Sequence, residues 1–242
     1  MGFCQRKVFN VITRNVLLLS VAAAMLATPA SAGFYLGAQA GGALMRGDIN
    51  YTDKNLQQDT MGHTRAMGAA FGAHLGYLYQ LNSRMFVLGE GYFIKESGKS
   101  KSNDLTFQTT TSASSATTKG AFTVQPKSNY GAALGFGAFM NPKFNLYAKV
   151  GFESKGLTTT YTLPNASPAN GTKKSAWSIS PGAGCMYKIT DSIAINPEYT
   201  YVVGKKYKVL PQTTNADGTY SKSINFTPTE HRLMLKLNYM FG

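Results

Sequence analysis

The chain's final run alternates between apolar and polar positions. Leu233, Leu235, Leu237, Tyr239 and Phe241 share one parity, and Arg232, Met234, Lys236, Asn238 and Met240 share the other. A period of two places successive side chains on opposite faces of a strand, so one face is greasy and the other carries charge. The same alternation recurs upstream at about 34–44, 64–77, 85–94, 124–139, 144–153, 177–187 and 193–203. The polar stretches between these runs alternate in length. Short ones lie near 80–83, 140–143 and 189–192, and long ones span about 45–63, 95–122, 154–176 and 204–227. An even number of such strands, with short turns at one end and long loops at the other, predicts an all-β, eight-stranded antiparallel transmembrane β-barrel of up-and-down topology. Its short turns would be periplasmic and its long loops extracellular. Lipid offers no hydrogen-bond partner to an open sheet edge, so the 232–241 strand is expected to close on the first. A soluble periplasmic β-sandwich is the rival architecture.

The parity assigns an inside and an outside to each strand. The outward rows hold residues such as Leu36, Phe71, Leu134, Val150 and Ile179, and the inward rows are rich in Gly and Ala. The 85–94 strand is apolar on both faces. Glu90 decides it, because a carboxylate facing hydrocarbon is costly whereas an interior can pair it. The inward ionic set is then Glu90, Lys149, Glu153, Glu198, Arg232 and Lys236, with His74 and Lys127 as further candidates. Counted from the short turns, Glu90, Lys149, Glu198 and Lys236 fall at one depth, and Glu153 and Arg232 lie one level nearer the long loops. Opposite signs at matching depth predict ion pairs that plug the interior; an ion path is the alternative. Aromatics near strand ends (Phe34, Tyr77, Tyr92, Tyr130, Phe144, Trp177, Tyr187, Tyr201, Tyr239, Phe241) are expected at the two water–lipid boundaries. Pro181 and Pro197 each remove a ladder donor, and a bulge is expected at Pro181. The Lys-, Ser- and Thr-rich 95–122 stretch reads as a long mobile loop.

Charge and composition refine this without changing it. The 242 residues carry a formal +13 and only 14% charged side chains. The basic residues are scattered, with no zinc spacing or recognition-helix pattern, which argues against nucleic acid. Residues 1–32 have the form of a secretory signal peptide. Arg6, Lys7 and Arg14 precede or flank an apolar run over 16–26 that is too short to span a bilayer, and Ala30-Ser31-Ala32 fits a cleavage site. Its loss removes three of the 24 basic residues and none of the 11 acidic ones, leaving +10, and the barrel domain would comprise 33–242. Cys4 leaves with this segment, so Cys185 has no intrachain partner. No phosphate loop, dinucleotide fingerprint or HExxH is present, and no cofactor, metal or enzymatic activity is expected. His74 in a glycine row reads as a packed histidine. His231, beside Glu230, is a candidate for a rim-sited lipid hydrolase, the weakest of the functional alternatives.

The chain resembles the small Gram-negative outer-membrane barrels: the opacity-protein type and the transmembrane domain of the outer membrane protein A-like family. The resemblance is carried by Gly33-Phe34-Tyr35-Leu36-Gly37-Ala38, Leu88-Gly89-Glu90-Gly91-Tyr92 and Leu235-Lys236-Leu237-Asn238-Tyr239-Met240-Phe241. It implies residence in the outer membrane. It also implies an interior Glu–Arg/Lys network on Glu90, Glu198, Lys149, Lys236 and Arg232, and recognition of the C-terminal strand by the barrel assembly machinery, although Gly242 follows Phe241 here. The expected partners are outer-membrane lipid and lipopolysaccharide, with a host surface or extracellular matrix as contacts of the long loops. The functional expectation is a structural barrel acting as an adhesin or surface antigen, with a narrow porin or ion channel as the alternative.

Overall fold

The computed structural model describes residues 32–53, 58–98, 100–111, 114–162, 172–210 and 223–241. All but the last residue of the expected leader, including Cys4, lies outside this set, as do the tips of the long connections. The described residues form ten strands: β1 (Ala32–Asp53), β2 (Gln58–Gln80), β3 (Met85–Glu96), β4 (Ser100–Thr111), β5 (Ser114–Asn141), β6 (Phe144–Thr162), β7 (Thr172–Lys188), β8 (Ile193–Val203), β9 (Tyr207–Leu210) and β10 (Ser223–Phe241). Eight of them form the cylinder in the order β1-β2-β3-β5-β6-β7-β8-β10, and β10 returns to pair with β1. That closing seam runs unbroken and antiparallel from Phe34 opposite Phe241 to Thr52 opposite Ser223. β4 folds back onto β5, and β9 lies along β10.

Side-chain oxygens fix the three short turns. Asn82 Oδ1 accepts from the backbone N–H of Arg84 (2.8 Å) and Met85 (2.9 Å). Asn141 Oδ1 does the same for Lys143 (2.9 Å) and Phe144 (2.8 Å). Thr190 Oγ1 accepts from the N–H of Ile193 (3.0 Å). Asn and Thr serve here because their short polar arms substitute for the missing backbone acceptor.

The outward rows are exposed and apolar around the whole circumference, from Leu36 through Phe71, Leu134, Val150 and Ile179 to Leu235. Such a continuous belt far exceeds the apolar patch a soluble monomer tolerates, and it is what hydrocarbon requires. Its upper margin carries stacked rings: Trp177 lies parallel to Phe152, centroids 4.9 Å apart, with Tyr130 edge-on to Trp177. At the lower margin Phe34 packs on Phe241, which also meets Tyr239. Tyr92 does not belong to either belt. It points into the lumen and is buried, because it shares parity with Glu90.

The structure corrects the long-loop reading. β1, β2, β5, β6 and β10 continue well past the expected strand ends, and within the 95–122 stretch β4 pairs with the first part of β5. Thr is β-branched and favours extended backbone, so a Thr-rich segment suits a strand. Beyond Ala70–Glu96 on one side and Ile179–Val203 on the other, the ladders β2–β3 and β7–β8 stop. The wall there divides into two four-stranded sheets, β9-β10-β1-β2 and β4-β5-β6-β7. Met45, Ile49 and Phe226 of one sheet and Val124 and Leu157 of the other are buried between them. The Tyr207 hydroxyl of the first sheet donates to the Lys155 carbonyl of the second (3.3 Å). Gly47 is required under Phe226, since a side chain at that position would run into the ring. This extension is referred to below as the crown.

No bulge occurs at Pro181. The β6–β7 register passes through Val150–Pro181 without a shift. The β7–β8 ladder instead skips pairs, between Ile179–Val203 and Gly182–Thr200 and again between Gly184–Glu198 and Tyr187–Ile195, then resumes in the same register. Pro181 and Pro197 sit in those two gaps, so the lost donors thin one seam without displacing it. Cys185, on the outward row of β7, is a free, partly exposed thiol.

Candidate functional site: the charged lumen

The inward rows of β3, β6, β8 and β10 bring charge from four strands together. At mid-depth, Glu90 on β3, Lys149 on β6, Glu198 on β8 and Lys236 on β10 form an alternating square. Lys149 lies 2.8 Å from Glu90 and 2.9 Å from Glu198; Lys236 lies 2.7 Å from Glu90 and 2.9 Å from Glu198. Each ion therefore has two partners of opposite sign, and tyrosines complete the carboxylates. Tyr147 donates to Glu198 (2.8 Å) and Tyr35 to Glu90 (3.3 Å). All four charged side chains are buried. Paired charge of this kind is tolerated at depth only when the remaining lone pairs and protons are also engaged.

One level toward the crown, Arg232 on β10 is the hub of a second cluster. Its guanidinium reaches Glu153 on β6 (3.1 Å), Glu96 on β3 (3.0 Å) and Glu230 on its own strand (2.7 Å). Lys155 on β6 bonds Glu230 and lies 3.6 Å from Glu96. Asn129 on β5 donates to Glu96, and the Tyr92 hydroxyl donates to Glu153 (2.8 Å). The fork of Arg suits a site with three carboxylates to satisfy. Between the two clusters remains a void of about 10 Å³ lined by Gln39, Tyr92, Ser180, Thr200 and the ions themselves, which is room for about one water.

Glu96, Lys155 and Glu230 were not among the residues singled out from the sequence. Each shares parity with one that was: Glu96 with Glu90, Lys155 with Glu153, Glu230 with Arg232. Extending each strand by two residues would have found them. Lys127 is not in the lumen. It is exposed within an irregularity of β5, between Pro126 and Asn129, and donates to Gln125 (3.1 Å). His74 is buried in the lumen, its Nε2 against Asn238 Oδ1. His231 is on the outer wall, its ring bonded to the Tyr199 hydroxyl (2.7 Å) and packed on Tyr201.

Apolar layers close the lumen on both sides of the ions. Toward the short turns, Tyr35, Leu78, Phe86, Leu88, Tyr147, Met186 and Ala194 form one buried cluster. Toward the exterior stands the crown core described above.

The sequence over residues 16–241 matches the model of the outer membrane protein beta-barrel domain. The chain belongs to this family. It is an outer-membrane barrel, and the belt of exposed apolar side chains is its lipid-facing wall. No curated protein matches it in sequence. Among solved structures it is similar to Ail, the attachment invasion locus protein of Yersinia pestis, in complex with a heparin analogue (15% identity, TM-score 0.36, covering 84% of this chain and 99% of that one). It is also similar to the outer membrane protein OprG of Pseudomonas aeruginosa (13%, 0.47, 87% and 97%) and to the outer membrane protease OmpT of Escherichia coli (9%, 0.46, 86% and 97%).

Proposed function

We propose that this barrel is a non-conducting, non-enzymatic scaffold that holds its crown outside the cell as an attachment surface or surface antigen. The observation that carries this reading is the filling of the whole axis: an apolar layer, two ionic layers and the apolar crown core succeed one another with a void of about 10 Å³ between the ionic pair. A permeant ion would have to displace Lys149 or Lys236 from two carboxylates each. The crown supports the second half of the reading, since a sheet pair with its own buried core can present a rigid surface. The engagement of His231 by Tyr199 on the outer wall speaks against a rim hydrolase.

Two measurements test this. Purified protein in planar bilayers should show no steps of conductance; regular openings would favour the narrow channel. Bacteria carrying a barrel whose crown segment (residues 98–124) is replaced by a short turn should insert normally and attach less to host cells or matrix; unchanged attachment removes the adhesin reading. In this account residues 1–32 are the export leader, so N-terminal sequencing of the inserted protein should begin at Gly33. β10 is the segment read by the assembly machinery, and lipopolysaccharide is a contact of the outer face.

A further inference from the structure

The outer face of β1 is low. It presents Ala38, Ala40 and Gly42, and opposite these on β10 stand Leu237, Leu235 and Leu233. A Cβ at Gly42 would meet nothing within 4 Å. The result is a furrow along β1, walled by the β10 leucines, that opens at its lower end into a concavity of about 430 Å³ beside Leu36, Ile193 and Tyr239. Further along the same face is Arg46, and the residue directly opposite it on β2 is Arg65. Both are exposed, and among the described residues neither has an ion-pair partner. Asp48, the next residue on that face, is bonded to His63 (2.8 Å).

Like charges directly opposite on adjacent strands destabilise a sheet. Two guanidiniums so placed suit a tetrahedral oxyanion that both can fork onto. The spacing fits a lipid. Ala38 to Arg46 is about 26 Å along the strand, or ~18–21 Å along the membrane normal at the usual barrel tilt. One leaflet's hydrocarbon is about 15 Å deep. An acyl chain lying in the furrow therefore brings its headgroup to the arginines.

We propose that the β1–β2 wall seats one phosphorylated, acylated lipid of the outer leaflet, the lipid anchor of lipopolysaccharide. Arg46 and Arg65 hold its phosphate and the Ala38–Ala40–Gly42 furrow takes an acyl chain. This deepens the lipopolysaccharide contact proposed above and is independent of attachment. A larger groove of about 650 Å³ over Gly89, Gly91 and Ala132 lies on another part of the wall. It provides an internal control, because Gly91 also has nothing within 4 Å of a Cβ.

The test is native mass spectrometry and titration of the full chain in phosphatidylcholine nanodiscs. The probes are phosphorylated lipid A, dephosphorylated lipid A, phosphatidylglycerol and inorganic phosphate. One molecule of phosphorylated lipid A should be retained. R46A/R65A should weaken it roughly 10- to 100-fold, the worth of one or two charge-assisted hydrogen bonds. Gly42→Leu should weaken it by a smaller factor, and Gly91→Leu should leave it unchanged; all variants should keep the heat-modifiable mobility of a folded barrel. Undiminished binding by folded R46A/R65A, or equal loss in Gly91→Leu, overturns the site while leaving the broader contact standing. Equal binding of phosphatidylglycerol or inorganic phosphate overturns the choice of lipid. No retention by the unaltered protein overturns both.

Discussion

The mid-lumen square yields a sharp energetic test. Glu90→Gln removes one of two carboxylates that Lys149 and Lys236 share at 2.7–2.9 Å. Two buried ammonium groups are then left with Glu198 alone. Stranding one partner of a buried pair costs about 3–5 kcal/mol. Tyr35 also exchanges an ionised acceptor for a neutral one, at 3.3 Å in the unaltered protein, a further loss on the order of 1 kcal/mol. The single change should therefore lower stability by about 4–6 kcal/mol, roughly a thousandfold to ten-thousandfold in the folding equilibrium. The double change Glu198→Met with Lys149→Met removes a matched pair and leaves Glu90 with Lys236, and replacing a buried pair by apolar groups is often close to neutral. It should thus cost less than Glu90→Gln, or than either of its own component changes made alone. The assay is equilibrium urea unfolding in lipid vesicles. Emission of the sole tryptophan, Trp177, on the outer wall is a reporter remote from the square. If Glu90→Gln costs under ~1 kcal/mol, or the double change costs the sum of its singles, the square is not held by mutual pairing.

Other consequences follow from the same geometry. Phe226→Ala should empty the crown core and cost about 3–5 kcal/mol; limited proteolysis of intact cells should then cleave the crown faster while the heat-modifiable band of the barrel persists. Gly47→Val should do likewise through overpacking, by about 1–3 kcal/mol, because the added methyls meet the Phe226 ring. Arg232→Met should be worse than Glu90→Gln, since three carboxylates lose their shared cation; it is read by the same urea titration. Amide exchange should be fastest, within the membrane-level ladders, along β7–β8 where Pro181 and Pro197 interrupt pairing, and equal protection of all eight seams would contradict this.

The cylinder was legible because a barrel imposes one period on every strand. Glu90 alone oriented the ambiguous 85–94 run, and its parity was enough to place Phe86, Leu88 and Tyr92 inside with it. Tyr92 carries two conflicting signals, an inward parity and a place near a strand end, and the parity prevails. The crown was hidden by composition. In 45–63 the inward Met45 and Ile49 are spaced by whole periods of two, but Arg46, Asp48, Asp53 and Asp59 around them read as a solvated loop. In 95–122 runs of Thr and Ser resemble an unstructured linker although Thr is a good strand residue. Cutting those strands short also concealed Glu96, Lys155 and Glu230, which lie at or beyond the expected ends. Which acid meets which base depends on strand stagger around the cylinder, and periodicity along one strand carries no information about that.

The seam between β1 and β10 has a consequence for biogenesis. The amides and carbonyls along that side of β1 find their partners only when the most distal segment has arrived, with nearly the whole polypeptide in between. No part of the cylinder can be sealed while synthesis or export is under way. Until then that margin is unsatisfied and the apolar flank beside it has no bilayer to face. Pairing β10 with β1 removes the last open edges of the sheet, which lipid could not satisfy.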